Sequence, residues 1–248
     1  MRIMFLSKRR IRLAAVYLGA LVLLYSGGSM FLSNAVEGGD ENLAPTGSEV
    51  SEYAAYRNGD PESSNISLAI NVDWGGEYLP DMLSILEKND ITATFFLTGR
   101  WCDSNAELAR QLADAGHELG NHGYSHTSPN ASSIEEIIDE ITRTEQSIAN
   151  ATGQTTRLYA PPSGEEEPHV LDAAQQAGYY TVLWSVDTID WQKPDAATLI
   201  DRVMSKIHGG AIILAHPTAS TLEALPELIE QLKAEGYSFV SVSENLAL

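Results

Sequence analysis

Hydrophobic and polar positions along residues 65–248 follow two alternating periods. Short apolar runs rich in β-branched and aromatic side chains predict strands, and segments with apolar residues three or four apart predict helices. The predicted strands cover residues 66–72, 92–97, 117–120, 158–160, 180–184, 211–215 and 239–242, and the predicted helices cover residues 79–89, 104–115, 133–149, 168–177, 195–207 and 221–235. Repeated strand-then-helix units imply parallel strands with right-handed crossovers. The pattern therefore predicts an α/β fold, a distorted (β/α) barrel of about seven parallel strands.

The residues before this region have a different character. Residues 1–12 contain basic side chains and no acid, and residues 13–32 carry no charge. A run of about 20 apolar residues behind a basic flank predicts a membrane anchor over residues 1–35, with the rest of the chain outside the cytoplasm. Cleavage near residue 35 would instead give a secreted protein. Residues 36–64 are polar and acidic and predict a linker, which leaves 65–248 as a single domain.

Composition and charge narrow the choice of partners. The 248 residues carry a formal net charge of −19, which argues against a nucleic-acid partner. Cys102 is the single cysteine, so the chain has no internal disulfide. A small buried thiol is the expected role of this residue.

The segment GHELGNHGYSH, residues 116–126, places two histidines four residues apart in a Gly- and Asn-containing context. Two neutral imidazoles at this spacing can bind one divalent metal when the backbone turns between them, although a structural histidine pair is the alternative. Asp73 follows the first predicted strand and offers a carboxylate. We therefore predict a metal site formed by Asp73, His122 and His126, with zinc as the default ion and manganese, cobalt or nickel as alternatives.

Further candidate residues follow later strands, where the active sites of β/α barrels lie. They belong to the segments APPSG, VDTIDW and ILAH. His216 is placed to protonate a leaving nitrogen, and Asp187 is placed to hold its imidazole in the correct tautomer. Trp191 offers a flat face to a sugar ring. Asp190 is expected to cap its loop or to support the site.

Five segments in this order resemble the polysaccharide deacetylase family, also called the NodB-homology family or carbohydrate esterase family four. They are NVDWGGEYLP with ATFFLTGRW, then NHGYSH, APPSG, DTIDW and LAH, and they cover nearly all of residues 65–248. The resemblance implies a distorted barrel, a zinc ion, and removal of N-acetyl groups from peptidoglycan or chitin-like polysaccharides. It also implies that Pro161, Pro162 and Leu214 join Trp191 in contacting the substrate.

The first strand departs from the family pattern, which usually reads TFDDG with one Asp as general base and the next as metal ligand. With Trp74 held in register, Asn71 stands at the base position and Val72 at the ligand position. An alignment shifted by two residues places Asp73 near the base position and Trp74 at the ligand position. We favour the first alignment, with Asp73 reaching the metal from a reshaped loop.

The third motif departs as well, because Ala160 stands where the family has an Arg that orients the base. An unpaired arginine without its carboxylate partner would be costly, so the two losses are physically coupled. The amide of Asn71 cannot take a proton from water at neutral pH. In an active protein we expect Asp73 to act as the base, with Glu77, Glu165 or zinc-bound hydroxide alone as alternatives.

Three functions are compatible with these residues. The first is a metal-dependent polysaccharide N-deacetylase, a hydrolase of carbon–nitrogen bonds other than peptide bonds, which acts outside the membrane. The second is a catalytically impaired glycan-binding or regulatory protein on the same fold. The third, a membrane-tethered structural protein without metal, is hard to reconcile with the two retained histidine motifs.

Overall fold

The computed structural model describes residues 53–248. The predicted anchor over 1–35 and most of the predicted linker lie outside the described residues. Among the described helices, none combines the length and the apolar character that a membrane span requires.

Parallel strands alternate with helices along the chain, as the hydrophobic pattern predicts. The strands are β1 (Asn65–Val72), β2 (Thr94–Leu97), β3 (Glu118–Asn121), β4 (Leu158–Tyr159), β5 (Tyr180–Thr181), β6 (Val186–Asp187), β7 (Ile212–Ala215) and β8 (Ser238–Phe239). The helices are α1 (Leu79–Lys88), α2 (Gly99–Ser104), α3 (Ala106–Asp114), α4 (Ile134–Thr152), α5 (Pro168–Gln176), α6 (Ala196–Met204), α7 (Ala219–Ala234) and α8 (Val242–Leu246). Single 3-10 turns lie at Gly76–Tyr78, Pro129–Ala131, Pro162–Gly164 and Asp190–Gln192.

Seven of the strands form a curled half-barrel in the order β5-β4-β3-β2-β1-β7-β6, and β8 pairs with the start of β1. The central strand β1 pairs in parallel with β2 and β7, so that Ala69 lies beside both Thr94 and Leu214. This arrangement confirms the prediction of a distorted barrel of parallel strands. It also brings the carboxyl ends of the strands to one rim.

The alternation of side chains along β1 separates two apolar layers. Ile66, Leu68, Ile70 and Val72 are buried in the larger cluster, together with apolar residues of the surrounding helices. Ala69 instead belongs to an inner cluster with residues such as Phe96, Ala160, Val182 and Ile212. Since side chains alternate along a strand, Asn71 shares the inner face with Ala69.

A short N-terminal segment completes the half-barrel. Tyr56 forms a parallel bridge with Val182, and Asn58 forms an antiparallel bridge with Ala211. The backbone amide of Gly59 donates to the Gly210 carbonyl at 2.7 Å. The last residues of the predicted linker, from about Tyr56 onward, are therefore part of the folded unit, because their backbone groups find partners on β5 and just before β7.

The remaining differences from the predicted elements concern short segments. The strand β6 was not predicted, since two residues carry no readable period. The predicted strand over 239–242 ends early, because Ser241 accepts a hydrogen bond from the Glu244 amide and caps α8. The helix α2 was also not predicted, and it carries Arg100, which binds Asp73.

Candidate active site

A cleft of about 410 Å³ opens at the rim formed by the carboxyl ends of the strands. It is lined by Asn71, Asp73, Trp74, His122, His126, Ser163, Trp184, Asp187, Trp191, Leu214 and His216. The structure thus brings together most of the residues predicted to form the site. Pro161 and Pro162 are exceptions: both are buried, and Ser163 lines the cleft in their place.

The two histidines of the NHGYSH segment lie side by side in this cleft. Their ring centroids are 5.0 Å apart and their planes are nearly perpendicular, at 77°. His122 Nδ1 donates to the Ala160 carbonyl at 2.6 Å, which leaves Nε2 free to act as a ligand. Burial lowers the pKa of His122 to about 3, although the bond to the Ala160 carbonyl opposes this effect. His122 is therefore neutral at physiological pH, as a metal ligand must be.

Asp73 does not stand free beside these imidazoles. Its Oδ1 accepts hydrogen bonds at 2.8 Å from the Thr98 hydroxyl and from Arg100 Nε. Its Oδ2 accepts a further bond from Arg100 Nη2. Burial alone would raise the pKa of Asp73, but the hydrogen bonds from Arg100 and Thr98 outweigh it and hold the pKa below its ordinary value. Asp73 is thus an ion-paired carboxylate and a poor proton acceptor.

The predicted metal site can be tested against this donor set. The two imidazoles suit a divalent metal, but both oxygens of Asp73 already accept hydrogen bonds from the guanidinium of Arg100. Within residues 53–248, no three His, Cys, Asp or Glu side chains lie together in a group that could hold a metal ion. The predicted set of Asp73, His122 and His126 therefore fits a metal only in its two histidines.

Asn71 and Ala160, the two departures from the family pattern, belong to different parts of the half-barrel, since Asn71 lies on β1 and Ala160 follows β4. The Asn71 side chain lines the cleft and the residue is only 5% exposed. Its Oδ1 has no hydrogen-bond partner among the described residues. Ala160 is buried in the inner cluster. Val72, the ligand position in our favoured alignment, is fully buried among the outer apolar residues and offers nothing to the cleft.

His216 is held by a different aspartate from the one predicted. Its Nδ1 donates to Asp190 Oδ1 at 2.7 Å, and its backbone amide donates to Asp190 Oδ2 at 2.6 Å. The Thr221 hydroxyl donates to the same Oδ2 at 2.5 Å. Asp187 lines the cleft but accepts from the backbone amide of Ile189 at 2.8 Å. The role assigned to Asp187 was therefore wrong, because a turn at Ile189 brings Asp190 under the imidazole.

Aromatic side chains form much of the wall of the cleft. The Trp74 ring stacks on the His216 ring, with centroids 6.0 Å apart and planes within 8° of parallel. Trp74 and Trp191 are among the few large apolar side chains that are substantially exposed, at 47% and 56%. Trp184 and Leu214 add further apolar surface. Such faces suit the apolar sides of sugar rings.

The two alternative bases lie outside the cleft. Glu165 accepts hydrogen bonds from the Ser128 hydroxyl and the Asn130 amide. Glu77 lines a neighbouring depression that shares Trp74 and Trp191 with the cleft. Neither carboxylate is placed to replace the base that Asn71 lacks.

Sequence reasoning missed Arg100, the partner of Asp73. The signal was available in the segment TFFLTGRW, which ends the strand next to β1 and continues into α2. A cation at that point faces the loop that follows β1. The burial of Cys102 in the same helix confirms that this thiol is a core residue, and burial raises its pKa to about 12.

Comparisons with known proteins agree with this arrangement. The family model for polysaccharide deacetylase matches residues 59–182. The Bacillus subtilis protein YlxY is 45% identical over 75% of this chain, and the chain spans 58% of the length of that relative. The peptidoglycan-N-acetylmuramic acid deacetylase PdaA of Bacillus subtilis is 31% identical, over 79% of this chain and 76% of that relative.

Among solved structures, wild-type BA3943 of Bacillus anthracis, described as a CE4 family pseudoenzyme, is similar with a TM-score of 0.76 and 46% identity. The alignment covers 77% of this chain and 68% of that one. A mutant of BA3943 with restored enzymatic activity has also been solved, and it is similar to this chain with the same TM-score, 0.76.

Proposed function

Since the chain belongs to the polysaccharide deacetylase family, we propose that it binds an N-acetylated cell-wall polysaccharide in this cleft without hydrolysing it. The observation that carries the proposal is the buried and unpaired carboxamide oxygen of Asn71. In the alignment that holds Trp74 in register, this oxygen stands at the position where an active relative would hold a carboxylate base.

An acetamido group matches the chemistry of Asn71. A buried acceptor without a partner costs about 1–3 kcal/mol, and a ligand that donates a hydrogen bond to it recovers this energy. The N–H of an N-acetyl group is such a donor. A carboxamide can accept this hydrogen bond but cannot accept the proton of an attacking water at neutral pH. Asn71 therefore favours recognition of the group over its removal.

The walls of the cleft suit a sugar ring on either side of that amide. Trp191 and Trp74 expose flat faces at the rim, and Leu214 and Trp184 line the cleft with them. Aromatic residues bury large apolar areas while they leave the hydroxyl groups of a sugar in water. We infer that a hexosamine sits with its ring against the tryptophans and its acetamido group toward Asn71.

Three changes oppose turnover, and the first two of them are coupled. The base position carries an amide, the arginine that would orient a base is replaced by Ala160, and Asp73 is engaged by Arg100. General-base catalysis contributes typically about 10²–10⁴-fold to a rate. BA3943 supports this reading, because a relative of such high identity is itself described as a pseudoenzyme whose mutant regained activity.

The expected polymer is peptidoglycan, since the relative PdaA deacetylates a peptidoglycan sugar. A chitin-like polymer is the alternative. From the basic and apolar sequence of residues 1–35, we propose that the chain is anchored at the cytoplasmic membrane with its folded unit outside, or is secreted after cleavage. Either location would place the cleft where cell-wall glycans occur.

A second candidate is the metal-dependent N-deacetylase that the sequence motifs predict. It is favoured by the His216–Asp190 pair, which is built like the acid of an active site, and by the adjacent imidazoles of His122 and His126. His122 and His126 would supply two ligands to a zinc ion, which would supply Lewis-acid chemistry when bound. His216, whose Nδ1 is bonded to Asp190, would present Nε2 to protonate the leaving nitrogen.

Binding and turnover measured on the same protein separate the two candidates. We expect N-acetylglucosamine oligomers or peptidoglycan fragments to bind in titration calorimetry, and no acetate to be released in the presence of zinc. The matched variant Asn71→Ala should weaken binding, because it removes the acceptor. Acetate release that His126→Ala abolishes would reject our proposal in favour of the hydrolase.

Restoring the missing pair tests the assignment of Asn71. The double variant Asn71→Asp with Ala160→Arg should release acetate where the wild type does not, and Asn71→Asp alone should release less. Ala160 is buried in the inner cluster, so a thermal melt must show that the arginine is tolerated. A folded double variant without any gain would contradict the alignment that places Asn71 at the base position.

A further inference from the structure

We propose that Arg100 is a built-in counter-cation that withholds Asp73 from the two cleft histidines and thereby sets the metal affinity of the cleft. The proposal concerns metal binding by this chain, so it does not depend on whether the cleft binds glycan. It explains why His122, His126 and Asp73 do not form a three-ligand metal site within residues 53–248.

The guanidinium of Arg100 meets Asp73 as a fork. Nε and Nη2 bind different oxygens of the carboxylate, and Thr98 adds a third donor from the end of β2. Bidentate pairs of this kind are geometrically specific and stronger than neutral hydrogen bonds. The carboxylate is therefore fixed in both position and orientation by groups that a metal ion would have to replace or share.

Arg100 is also fixed relative to the histidines. Its backbone amide donates to the Tyr124 carbonyl at 3.1 Å, and the amide of Gly99 donates to the Gly123 carbonyl at 3.0 Å. Both acceptors lie in the loop between His122 and His126. A side chain added at Gly99 would collide with the Tyr124 ring. The start of α2 is thus attached to the loop that carries both imidazoles.

The guanidinium of Arg100 and a divalent metal ion would compete for the carboxylate of Asp73. A divalent ion bound by His122, His126 and Asp73 would lie close to a guanidinium that already neutralises the carboxylate. Like charges at such short range repel each other, and the carboxylate would divide its attraction between them. Removal of the guanidinium should therefore release Asp73 as a third ligand and strengthen metal binding.

Zinc titration of the full chain tests this directly. We expect Arg100→Ala to bind Zn²⁺ about fivefold more tightly than wild type, since a partly exposed ion pair contributes on the order of 1 kcal/mol and tenfold corresponds to about 1.4 kcal/mol. Cobalt absorption spectra should show a change of coordination in the same variant. The double variant Arg100→Ala with Asp73→Asn should lose the gain, because the released ligand is gone.

A control and a second variant keep the test sharp. Arg110→Ala removes an equally exposed arginine, 51% in both cases, that pairs with Glu107 on α3. Its zinc affinity should equal that of wild type. If Arg100→Ala does not fold, Arg100→Gln removes the charge and keeps a hydrogen-bond donor. An unchanged affinity would overturn the proposal, and so would a weaker one, which would show that Arg100 orients Asp73 as a ligand.

Discussion

The two walls of the cleft differ in how deeply they are built into the fold. The acid wall consists of His216, Asp190 and Thr221, and its aspartate is completely buried and accepts three hydrogen bonds. The base wall consists of the cleft residues Asn71 and Asp73 together with Arg100, whose half-exposed guanidinium pairs with Asp73.

This difference shows which parts of an active site can be lost without loss of the fold. The residues of the acid wall join β7, the Asp190–Gln192 turn and α7, so their removal would leave buried polar groups unpaired. The base wall instead contains the half-exposed side chain of Arg100 and the unpaired Oδ1 of Asn71. Retention of His216 and Asp190 is therefore explained by structure alone and is weak evidence for catalysis.

The largest expected effect comes from Asp190→Ala. It should lower the free energy of unfolding by about 2–6 kcal/mol, because it leaves the His216 amide and the Thr221 hydroxyl without an acceptor, at about 1–3 kcal/mol each. Asp187→Ala is the matched control and should cost about 1 kcal/mol, since it removes a single hydrogen bond to a backbone amide. Urea denaturation measures both, and equal costs would contradict the difference between the walls.

A pH series measures how His117, a buried residue outside both walls, contributes to the free energy of unfolding. His117 is buried at the start of β3, beside Phe95, and accepts from the Ala93 amide. Burial lowers its pKa from 6.5 to about 4. Between these values the unfolded chain binds more protons, so stability falls as the pH falls. His117→Gln should reduce that loss by up to about 3 kcal/mol in thermal melts at pH 7 and pH 4.

The glycan affinity measured at pH 7 should be unchanged in His117→Gln, because the residue does not line the cleft. A stability profile that keeps its full slope in this variant would assign the acid sensitivity to other groups.

Trp191→Ala tests an exposed aromatic side chain that lines the cleft but belongs to neither wall. We expect the affinity for N-acetylglucosamine oligomers to fall about fivefold, because an aromatic contact to a ring contributes roughly 1 kcal/mol. Tyr53→Ala, which removes an exposed aromatic side chain outside the cleft, should leave the affinity unchanged. Calorimetric titration would refute this role for Trp191 if both variants bound like wild type.

The smallest effect is expected for Asp73→Asn. The variant should lower the free energy of unfolding by about 1 kcal/mol or less, since Arg100 regains water when its partner is neutralised. The same urea series that measures Asp190→Ala gives this value. A cost near that of Asp190→Ala would show that the base wall is as deeply embedded as the acid wall.

The order of strands and helices could be predicted well from the sequence, because each strand and helix has its own characteristic spacing of apolar residues. The strands around residues 66–72, 94–97 and 212–215 are long enough to be recognised, and parallel strands bring their carboxyl ends together. His122, His126 and His216 were located for that reason.

The details that decide the chemistry depend on contacts between elements that are distant in sequence. The Arg100–Asp73 pair requires the loops after β1 and β2 to meet, which follows from the pairing of Val72 with Leu97 and not from local pattern. The choice between Asp187 and Asp190 depends on a left-handed residue, Ile189, with φ of 50°. Such a conformation is rare for a β-branched residue and gives no sequence signal.

The segment that completes the half-barrel also has a mechanical meaning. The bridges of Tyr56 and Asn58 connect the β5 side of the opening to the β7 side, and the described chain enters the fold through this segment. Tension applied along the backbone at Tyr53 would therefore load these few hydrogen bonds before any strand of the sheet. The opening of the barrel, rather than its centre, would be the first element to yield to a pulling force.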